Sequence, residues 1–223
     1  MSSVLRQIDG LIKILDWGLA DYHSIYEQQK TQQEQRRAGT VCDTVLIGEH
    51  TPVVTLGARK SANRFILSPE QIAQQGIDVV EIRRGGGVTA HNPGQLVFYP
   101  IVHLGPLKLT PGDFVHKLEQ VGQALLKSLD IESQARKEFP GLWIDDRKIA
   151  SVGVRVSRQV TLHGMAINIQ NDLSIFEHFV PCGLDQVVIT SVHKETGRNT
   201  NMNRLKRTLA DIFIHQFYQD LLP

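Results

Sequence analysis

The residue of this 223-residue sequence best placed for nucleophilic chemistry is Cys182. It lies between Pro181, which has no N–H and a fixed φ, and Gly183, which permits a sharp turn, so its thiol is expected at the end of an element. A cysteine attacks as its thiolate, and at a reference pKa of about 8.5 only a few per cent is ionised at neutral pH. Cys182 therefore needs a neighbouring cation or base, unless it is a small buried hydrophobe, the role that we assign to Cys42.

Two kinds of side chain could activate this thiol. Lys148 ends the polar turn 145–148 and precedes an apolar strand, so its side chain could follow the sheet face or, alternatively, remain solvated. A Cys–His pair is the commoner arrangement, so residue type and spacing leave the base open. The competing histidines are His91, His163, His178 and His193. No acidic or histidine cluster has ligand spacing for a metal, and we predict no metal site.

A glycine-rich stretch, RRGGGVTAHNPGQLVFYP at 83–100, indicates a loop that lines a binding site. A phosphate loop requires a helix directly after its glycines, whereas LVFYPIV has the pattern of a strand. Neither GxxxxGK[ST] nor GxGxxG can be written through the stretch. A structural turn, or a loop that lies against another substrate with its N–H groups as donors, remains open.

The elements that position these residues are mainly strands. Apolar runs at 79–82 and 96–102 flank the glycine stretch, and shorter ones occupy 45–48 and 52–56. From Leu142 the apolar period changes to two, which predicts a three-stranded antiparallel meander with tight polar turns, ending near Ile169. Lys148 would lie at the first turn of this meander.

Helical spacing and capping residues predict five further elements. Leu15, Leu19, Tyr22 and Tyr26 predict an amphipathic first helix whose Gln-rich end, 27–37, is solvated. Ser68 starts a short helix that ends at Gly76, and Thr110 starts a long core helix. The segment 171–180 is expected to be helical in part, and Asn203 is expected to cap the last helix.

The composition is that of a globular α/β protein, with 24 basic and 23 acidic residues and a net charge of +1. No global field points to nucleic acid or a membrane, and no apolar segment is long enough for a signal or a span. We expect a cytoplasmic protein with free thiols. The fold class expected is α/β, with one domain over 1–223 and a mixed, largely antiparallel sheet flanked by helices.

Four motifs, RGGGVTAHNPGQ, DRKIASVG, LHGMAIN and PCGL, occur in this order between Arg84 and Leu184. Together they resemble the lipoyl(octanoyl) transferases, the octanoyl-[acyl carrier protein]:protein N-octanoyltransferases. The resemblance implies a fold similar to the catalytic domains of lipoate ligases and biotin protein ligases. It also implies that Cys182 is the acyl-thioester nucleophile and that Lys148, rather than a histidine, is its partner.

The resemblance further implies a substrate pocket built from the glycine stretch, the SxG strand and the residues after the FHG-type histidine. Its residues would be Arg84, Gly85, Gly86, Gly87, Val88, Thr89, Ala90, His91, Ser151, Val152, Gly153, Gly164, Met165 and Ala166. Two departures from the family pattern stand out. Asn92 replaces the glycine of HGPGQ, where we expect it to keep a left-handed backbone. Ala150 stands where relatives can carry cysteine.

The implied reaction is ping-pong acyl transfer, the first step of endogenous protein lipoylation. Octanoyl would pass from its acyl carrier protein to Cys182, and then to a lysine of lipoyl domains in 2-oxoacid dehydrogenase E2 subunits and glycine cleavage H protein. A thioester is already activated, so no ATP or cofactor is expected. The alternatives are an ATP-dependent lipoate or biotin ligase and a non-catalytic acyl-binding module. Basic residues that could dock the acidic carrier are Arg158, Arg204, Lys206 and Arg207.

Overall fold

The computed structural model describes residues 2–181 and 187–221, and Cys182 lies outside the described residues. The strands are β1 (Ser3–Ile8), β2 (Ile12–Ala20), β3 (Asp43–His50), β4 (Val53–Leu56), β5 (Arg64–Phe65), β6 (Asp78–Glu81), β7 (Thr89–His91), β8 (Gln95–Ile101), β9 (Gln134–Ala135), β10 (Gly141–Ile144), β11 (Arg147–Ser157), β12 (Val160–Asn168), β13 (Phe179–Val180) and β14 (Val188–Ile189). The helices are α1 (Tyr22–Arg37), α2 (Pro69–Ala73), α3 (Pro111–Lys127), α4 (Val192–Thr196) and α5 (Met202–Tyr218). Short 3-10 segments occupy Lys60–Ala62, Leu173–His178 and Gln219–Leu221.

Nine of the described strands form one sheet, in the order β1-β2-β3-β8-β12-β11-β10-β9 with β14 beside β11. Its pairings are antiparallel except for β2 with β3 and β11 with β14. The predicted meander corresponds to β10, β11 and β12. The expected fold class, α/β with a mixed and largely antiparallel sheet, is therefore confirmed.

Apolar residues alternate along the central strands, so each face of the large sheet has its own core. Phe98 faces the cluster that includes Leu118 of α3 and Phe213 of α5, whereas Tyr99 faces the cluster with Ile25 of α1. The long helix expected from Thr110 is a core helix, because Phe114, Leu118, Val121 and Leu125 on its apolar face are buried. No helix in the described part of the chain combines the length and apolarity that crossing a membrane requires.

A smaller sheet, β6-β4-β7, carries the glycine stretch. β4 pairs in parallel with β6 and antiparallel with β7. The loop 82–88 therefore crosses from the strand on one side of β4 to the strand on its other side. The 3-10 segment Lys60–Ala62 packs on this loop, because Val88 N donates to Ala62 O at 3.4 Å. The loop is thus held between a sheet and a short helical turn.

The predicted start of the first helix is wrong. Leu15 and Leu19 belong to β2, and α1 begins at Tyr22 after the cap Asp21, whose carboxylate accepts from Ser24 N at 2.8 Å. A register shift next to Gly18, whose φ is +74°, changes the phase of the strand. The four-residue spacing from Leu15 to Leu19 does not mark a buried helical face, because Leu15 is half-buried and Leu19 is exposed in this strand.

The Gln-rich half of α1 is also not fully solvated as predicted. Gln29 and Gln33 are buried against β12. Gln33 Nε2 donates to Val160 O at 3.0 Å, and Gln29 Oε1 accepts from His163 N at 3.0 Å.

At the other end of the chain, the cap of α5 is Asn201 rather than Asn203. The cap of α3 at Thr110 and that of α2 at Ser68 are confirmed as capping boxes.

Candidate active site

Arg84 shapes the glycine loop from inside. Its guanidinium is buried and donates to Gly85 O at 3.0 Å and Gly87 O at 2.7 Å, and on the other side to Thr55 O at 2.8 Å. Gly85 N in turn donates to Val154 O at 3.0 Å. The fork of donors on an arginine suits a cluster of carbonyl groups. The loop is therefore fixed to β4 and to β11 at once.

A cavity of about 210 Å³ opens between this loop and the meander. All residues of the expected substrate pocket line it except Ala90. Ala90 lies on β7 between two lining residues, and strand alternation turns its side chain into an apolar cluster with Val54 and Ile72. The structure thus brings the three expected segments to one cavity.

Lys148 lies on the wall of the same cavity and is not a solvated turn lysine. It is 2% exposed, and its Nζ donates to Pro140 O at 3.3 Å and lies 5.2 Å from the Trp143 ring centroid. Glu119 of α3 accepts from Gly141 N at 2.9 Å. Burial raises the pKa of the Glu119 carboxyl, and the positive charge of Lys148 opposes that rise.

The cavity has an open end and a closed end. Glu138 and Pro140, which line it near Lys148, are exposed. The opposite end is lined by buried aromatic and imidazole rings, Tyr22, His91, Tyr99 and His163. His163 pairs with Val154, which lies six residues beyond Lys148 on β11, or about 20 Å. The cavity therefore extends along β11 from Lys148 toward these buried rings.

Burial keeps the histidines of the closed end neutral. It lowers the pKa of His91 and of His163 to about 3, and that of the neighbouring His50 to about 4. His91 Nδ1 donates to Gln95 Oε1 at 2.7 Å. The Tyr99 hydroxyl bonds to His50 Nε2 at 2.9 Å, and burial raises the pKa of Tyr99. The rings at this end of the cavity are therefore polar and neutral at pH 7, while the buried Arg84 beside them carries a positive charge.

Asn92 does not have the left-handed backbone that we expected; in this loop that conformation belongs to Gly94, with φ of +88°. The side chain of Asn92 instead joins two segments. Its Nδ2 donates to Asp172 O at 2.8 Å, and its Oδ1 accepts from Asn171 Nδ2 at 3.0 Å. The loop and the segment that leads toward Pro181 are tied together by amide groups.

The same amide network reaches Thr190, which follows residues 182–186 in the sequence. Gln95 Nε2 donates to Asn168 Oδ1 at 2.9 Å, and Asn168 Nδ2 donates to Thr190 O at 3.0 Å. Thr190 N donates to Lys148 O at 2.9 Å. Buried side-chain amides that satisfy one another fix a single arrangement of the backbones they join. Sequence reasoning missed this network because its members come from separate segments.

Several other candidate residues lie away from the cavity. His193 is exposed and His178 half-buried, and neither lines the cavity. Cys42 is a free, partly buried thiol. The cavity residues that sequence reasoning did not select include Tyr22, on α1 and remote from the motifs, and Tyr99, on β8 within the stretch 83–100. Across residues 2–181 and 187–221 no three His, Cys, Asp or Glu side chains cluster in a way that could hold a metal.

The fold is that of the catalytic domains of lipoate and biotin ligases. A solved lipoate-protein ligase A bound with ATP superposes with a TM-score of 0.67 at 12% identity, covering 96% of this chain and 86% of that one. A biotin protein ligase from Aquifex aeolicus gives a TM-score of 0.56 at 12% identity, covering 92% of this chain and 70% of that one. Likeness at such low identity establishes the fold, as expected from the motifs.

Sequence comparison then narrows this class. The family model for the lipoyl protein ligase A/B catalytic domain matches residues 21–214. An octanoyltransferase from Koribacter versatilis is 35% identical, over 95% of this chain and 86% of its own length. The chain belongs to the lipoyl protein ligase A/B catalytic domain family and, within it, to the octanoyltransferases. It is therefore an enzyme of the transferase class.

Proposed function

We propose that the protein transfers an octanoyl group from octanoyl-acyl carrier protein, through a thioester on Cys182, to a lysine of lipoyl domains. The acceptors would be the lipoyl domains of 2-oxoacid dehydrogenase E2 subunits and glycine cleavage H protein. The relative from Koribacter versatilis carries the name octanoyltransferase, which supports this substrate class. The reaction would be the first step of endogenous protein lipoylation, carried out in the cytoplasm without a cofactor.

The observation that carries the proposal is the burial of Lys148 at the mouth of an elongated, largely apolar cavity. Apolar lining comes from the loop, from α3 and from the meander, for example Val88, Val115 and Met165. A medium-length acyl chain could lie in such a cavity with its thioester near Lys148. A basic amine at that position suits the activation of a thiol.

The proposed reaction proceeds in two balanced steps. The Cys182 thiol gives its proton to Lys148, and its sulfur attacks the carbonyl carbon of the octanoyl thioester, releasing the thiol of the carrier protein. The amine of the acceptor lysine then attacks the Cys182 thioester, forming an amide and returning the thiol. No bond requires ATP, because each leaving group is a thiol. Backbone N–H groups near the glycine loop or on the element that carries Cys182 would stabilise the tetrahedral oxyanion.

Intact-protein mass spectrometry tests this proposal. Incubation with octanoyl carrier protein should add one octanoyl group to the wild type and to Cys42→Ala, and none to Cys182→Ala. Cys42 serves as the matched control, since it is a free thiol remote from the cavity. Addition of a lipoyl domain without ATP should then discharge the adduct. An adduct that persists in Cys182→Ala would refute the thioester intermediate.

The same experiment separates the two alternatives. An ATP-dependent ligase of the same fold would need ATP and free acid and would form no adduct on Cys182. A non-catalytic acyl-binding module would bind the acyl group but would acylate no lipoyl domain. Transfer to a lipoyl domain without ATP, abolished by Cys182→Ala or Lys148→Ala while the fold is retained, contradicts both.

For the carrier protein we propose a docking surface beside the glycine loop, formed by Arg59, Lys60 and Arg83. All three are exposed, and none forms an ion pair within the described residues. Arg59 lines the cavity, and its backbone N–H donates to Gly86 O at 3.1 Å. The docking set expected from sequence included Lys206, but this side chain is buried and donates to Asp16 Oδ1 at 3.0 Å.

A further inference from the structure

The closed end of the cavity contains a histidine whose polar atoms are unsatisfied. His163 lines the cavity and is 1% exposed. Within the described parts of the chain, neither its Nδ1 nor its Nε2 has a hydrogen-bond partner. Burying a polar group without a partner costs free energy, so native proteins rarely keep one without a functional reason.

The backbone of His163 is also strained. Its φ is +62° in the middle of β12, although the pairing with β11 continues across Val154. The displaced N–H donates to Oε1 of the buried Gln29, and the Tyr26 ring stacks on the imidazole at 5.5 Å. A left-handed non-glycine residue persists only where its surroundings enforce it, and such residues concentrate at functional sites. Helix α1 therefore fixes this ring in the cavity wall.

Neighbouring polar groups differ from His163 because they are engaged. The Tyr99 hydroxyl bonds to His50, and His91 Nδ1 bonds to Gln95. Next to His163, Nε2 of Gln29 also lacks a partner among the described residues. A neutral imidazole offers one N–H donor and one acceptor nitrogen. A ligand that reaches this end can therefore form hydrogen bonds with a donor and an acceptor that have no partner in the described protein.

We propose that His163 forms a subsite for the far end of the acyl chain, which binds a chain whose terminus carries a small hydrogen-bonding group such as a hydroxyl. The inference rests on the proposed function for the identity of the acyl ligand. A terminal hydroxyl could accept from the ring N–H or donate to the bare ring nitrogen, and the unpartnered Nε2 of Gln29 lies beside it as a further donor. An apolar chain long enough to touch His163 would leave both nitrogens unpaired, and a site of this kind discriminates strongly against such a ligand.

Pairs of acyl thioesters that differ only by a terminal hydroxyl test the subsite. Octanoyl and 8-hydroxyoctanoyl, and decanoyl and 10-hydroxydecanoyl, would each be supplied as thioesters of a small thiol. The rate of acylation would be followed by intact mass. In the wild type we expect the hydroxylated chain to react at least as fast as its plain counterpart for one length or both. In His163→Phe its relative rate should fall at least about tenfold.

A second variant controls for the possibility that a substitution acts through misfolding. His163→Asn keeps a donor and an acceptor and tolerates a left-handed backbone, so it should retain the preference, whereas His163→Ala should lose it. The subsite is wrong if the hydroxyl slows acylation at both lengths in the wild type, or if the ratio is the same in wild type, His163→Phe and His163→Ala.

A binding measurement separates this inference from the proposed function. Calorimetry with free octanoic and 8-hydroxyoctanoic acid, and with the two ten-carbon acids, requires no acyl transfer. If octanoyl carrier protein leaves the wild type unmodified, the proposed function fails, while the affinity ratios still test the subsite. Ratios that favour the hydroxy acid in the wild type and reverse in His163→Phe support it. Ratios that His163→Phe leaves unchanged overturn it.

Discussion

Lys148 illustrates how burial gives a single residue its chemistry. Taking an ammonium group out of water costs several kcal/mol unless nearby groups compensate. The Pro140 carbonyl, the Trp143 ring and the charge of Glu119 provide part of that compensation here. A lysine that needs such an environment is costly for the fold. We propose that it is kept because Cys182 and Lys148 share one proton as a coupled pair, in which the amine form of Lys148 takes the thiol proton and the resulting ammonium stabilises the thiolate.

Replacing this amine should slow acylation far more than it alters substrate binding. We expect Lys148→Met to reduce the acylation rate about 10²- to 10⁴-fold at pH 7, the range for loss of a general base. Lys148→Arg should also be impaired, because a guanidinium keeps the charge but cannot accept a proton. Single-turnover acylation followed by mass spectrometry measures both rates.

The pH profile of Lys148→Met provides the control. The fraction of a thiol of pKa about 8.5 that is ionised rises about twentyfold between pH 7 and pH 9. Acylation by the variant should recover with that rise, whereas a variant that is merely misfolded would not recover. Wild-type activity in Lys148→Met at pH 7 would show that the lysine does not activate the thiol.

At the scale of elements, the glycine loop depends on close packing against the 3-10 segment Lys60–Ala62. A Cβ on Gly87 would overlap the Ala62 carbonyl oxygen and approach the Ala62 Cβ to 2.5 Å. Gly87→Ala should therefore displace the loop, lower the free energy of unfolding by about 1–3 kcal/mol and raise KM for the octanoyl donor. Chemical denaturation and steady-state kinetics measure the two effects.

Gly112 near the start of α3 provides a matched control. The nearest atom to a Cβ there is the Thr110 Oγ1, at 3.7 Å, which is an ordinary contact. Gly112→Ala should leave the kinetics unchanged and stabilise the protein slightly, because alanine loses less entropy in a helix. Equal effects of the two substitutions would mean that loop packing does not control the cavity.

The amide network makes a second prediction for the same loop. Asn92→Ala removes the donor to Asp172 O and the acceptor of Asn171 Nδ2, which leaves buried groups unpaired. We expect the free energy of unfolding to fall by about 1–3 kcal/mol. The exposed Asn203, on α5, is the control, and Asn203→Ala should change it by less than about 0.5 kcal/mol. Urea denaturation of both variants would contradict the role of the network if the two losses were alike.

Local signals predicted most elements but not the contacts between them. Thr110 and Ser68 predicted the starts of their helices correctly, because a capping box involves only four consecutive residues. Strand β2 escaped prediction because the bulge near Gly18 breaks the two-residue alternation that identifies a strand. The motifs predicted one wall of the cavity, whereas Tyr22 and Tyr99 enter it from α1 and β8 through tertiary packing. Such long-range partners are not encoded in any short stretch.

At the scale of the whole molecule, the neutral histidines should make stability depend on pH. The folded-state pKa values of His50, His91 and His163, about 4, 3 and 3, lie below the unfolded value of about 6.5. Burial is the main cause, and the positive charge of Arg84 contributes for His91 and His163. Below pH 6.5 the unfolded chain binds protons that the folded protein does not, so stability falls as pH falls toward 4.

Denaturant unfolding at pH 7 and pH 5 tests this expectation. Each buried histidine should contribute about 2 kcal/mol to the difference in unfolding free energy between the two conditions. His50→Gln keeps a donor and an acceptor and should reduce the difference by about that amount. His193→Gln, at an exposed histidine, should leave it unchanged. An undiminished difference in His50→Gln would show that His50 titrates normally in the folded state.

The charge distribution of the whole molecule determines how a carrier protein can approach. Net charge is only +1, so attraction for an acidic partner must come from a local patch, and Lys60 and Arg83 are exposed next to the lining residues Arg59 and Arg84. Reversing both, Lys60→Glu with Arg83→Glu, should raise KM for octanoyl carrier protein about tenfold and leave kcat nearly unchanged, because charges at the rim of an interface act mainly on the association rate. The effect should shrink at high salt.

Two comparisons make this docking prediction specific. A small octanoyl thioester, which has no protein surface, should react with the double variant at the wild-type rate. Reversal of Arg204 and Arg207, which are exposed on α5 and do not line the cavity, should leave KM for the carrier unchanged. If the α5 pair raises KM and the Lys60–Arg83 pair does not, the carrier docks on α5 instead, and its acyl chain must enter the cavity from that side. Steady-state kinetics at two ionic strengths distinguishes the two surfaces.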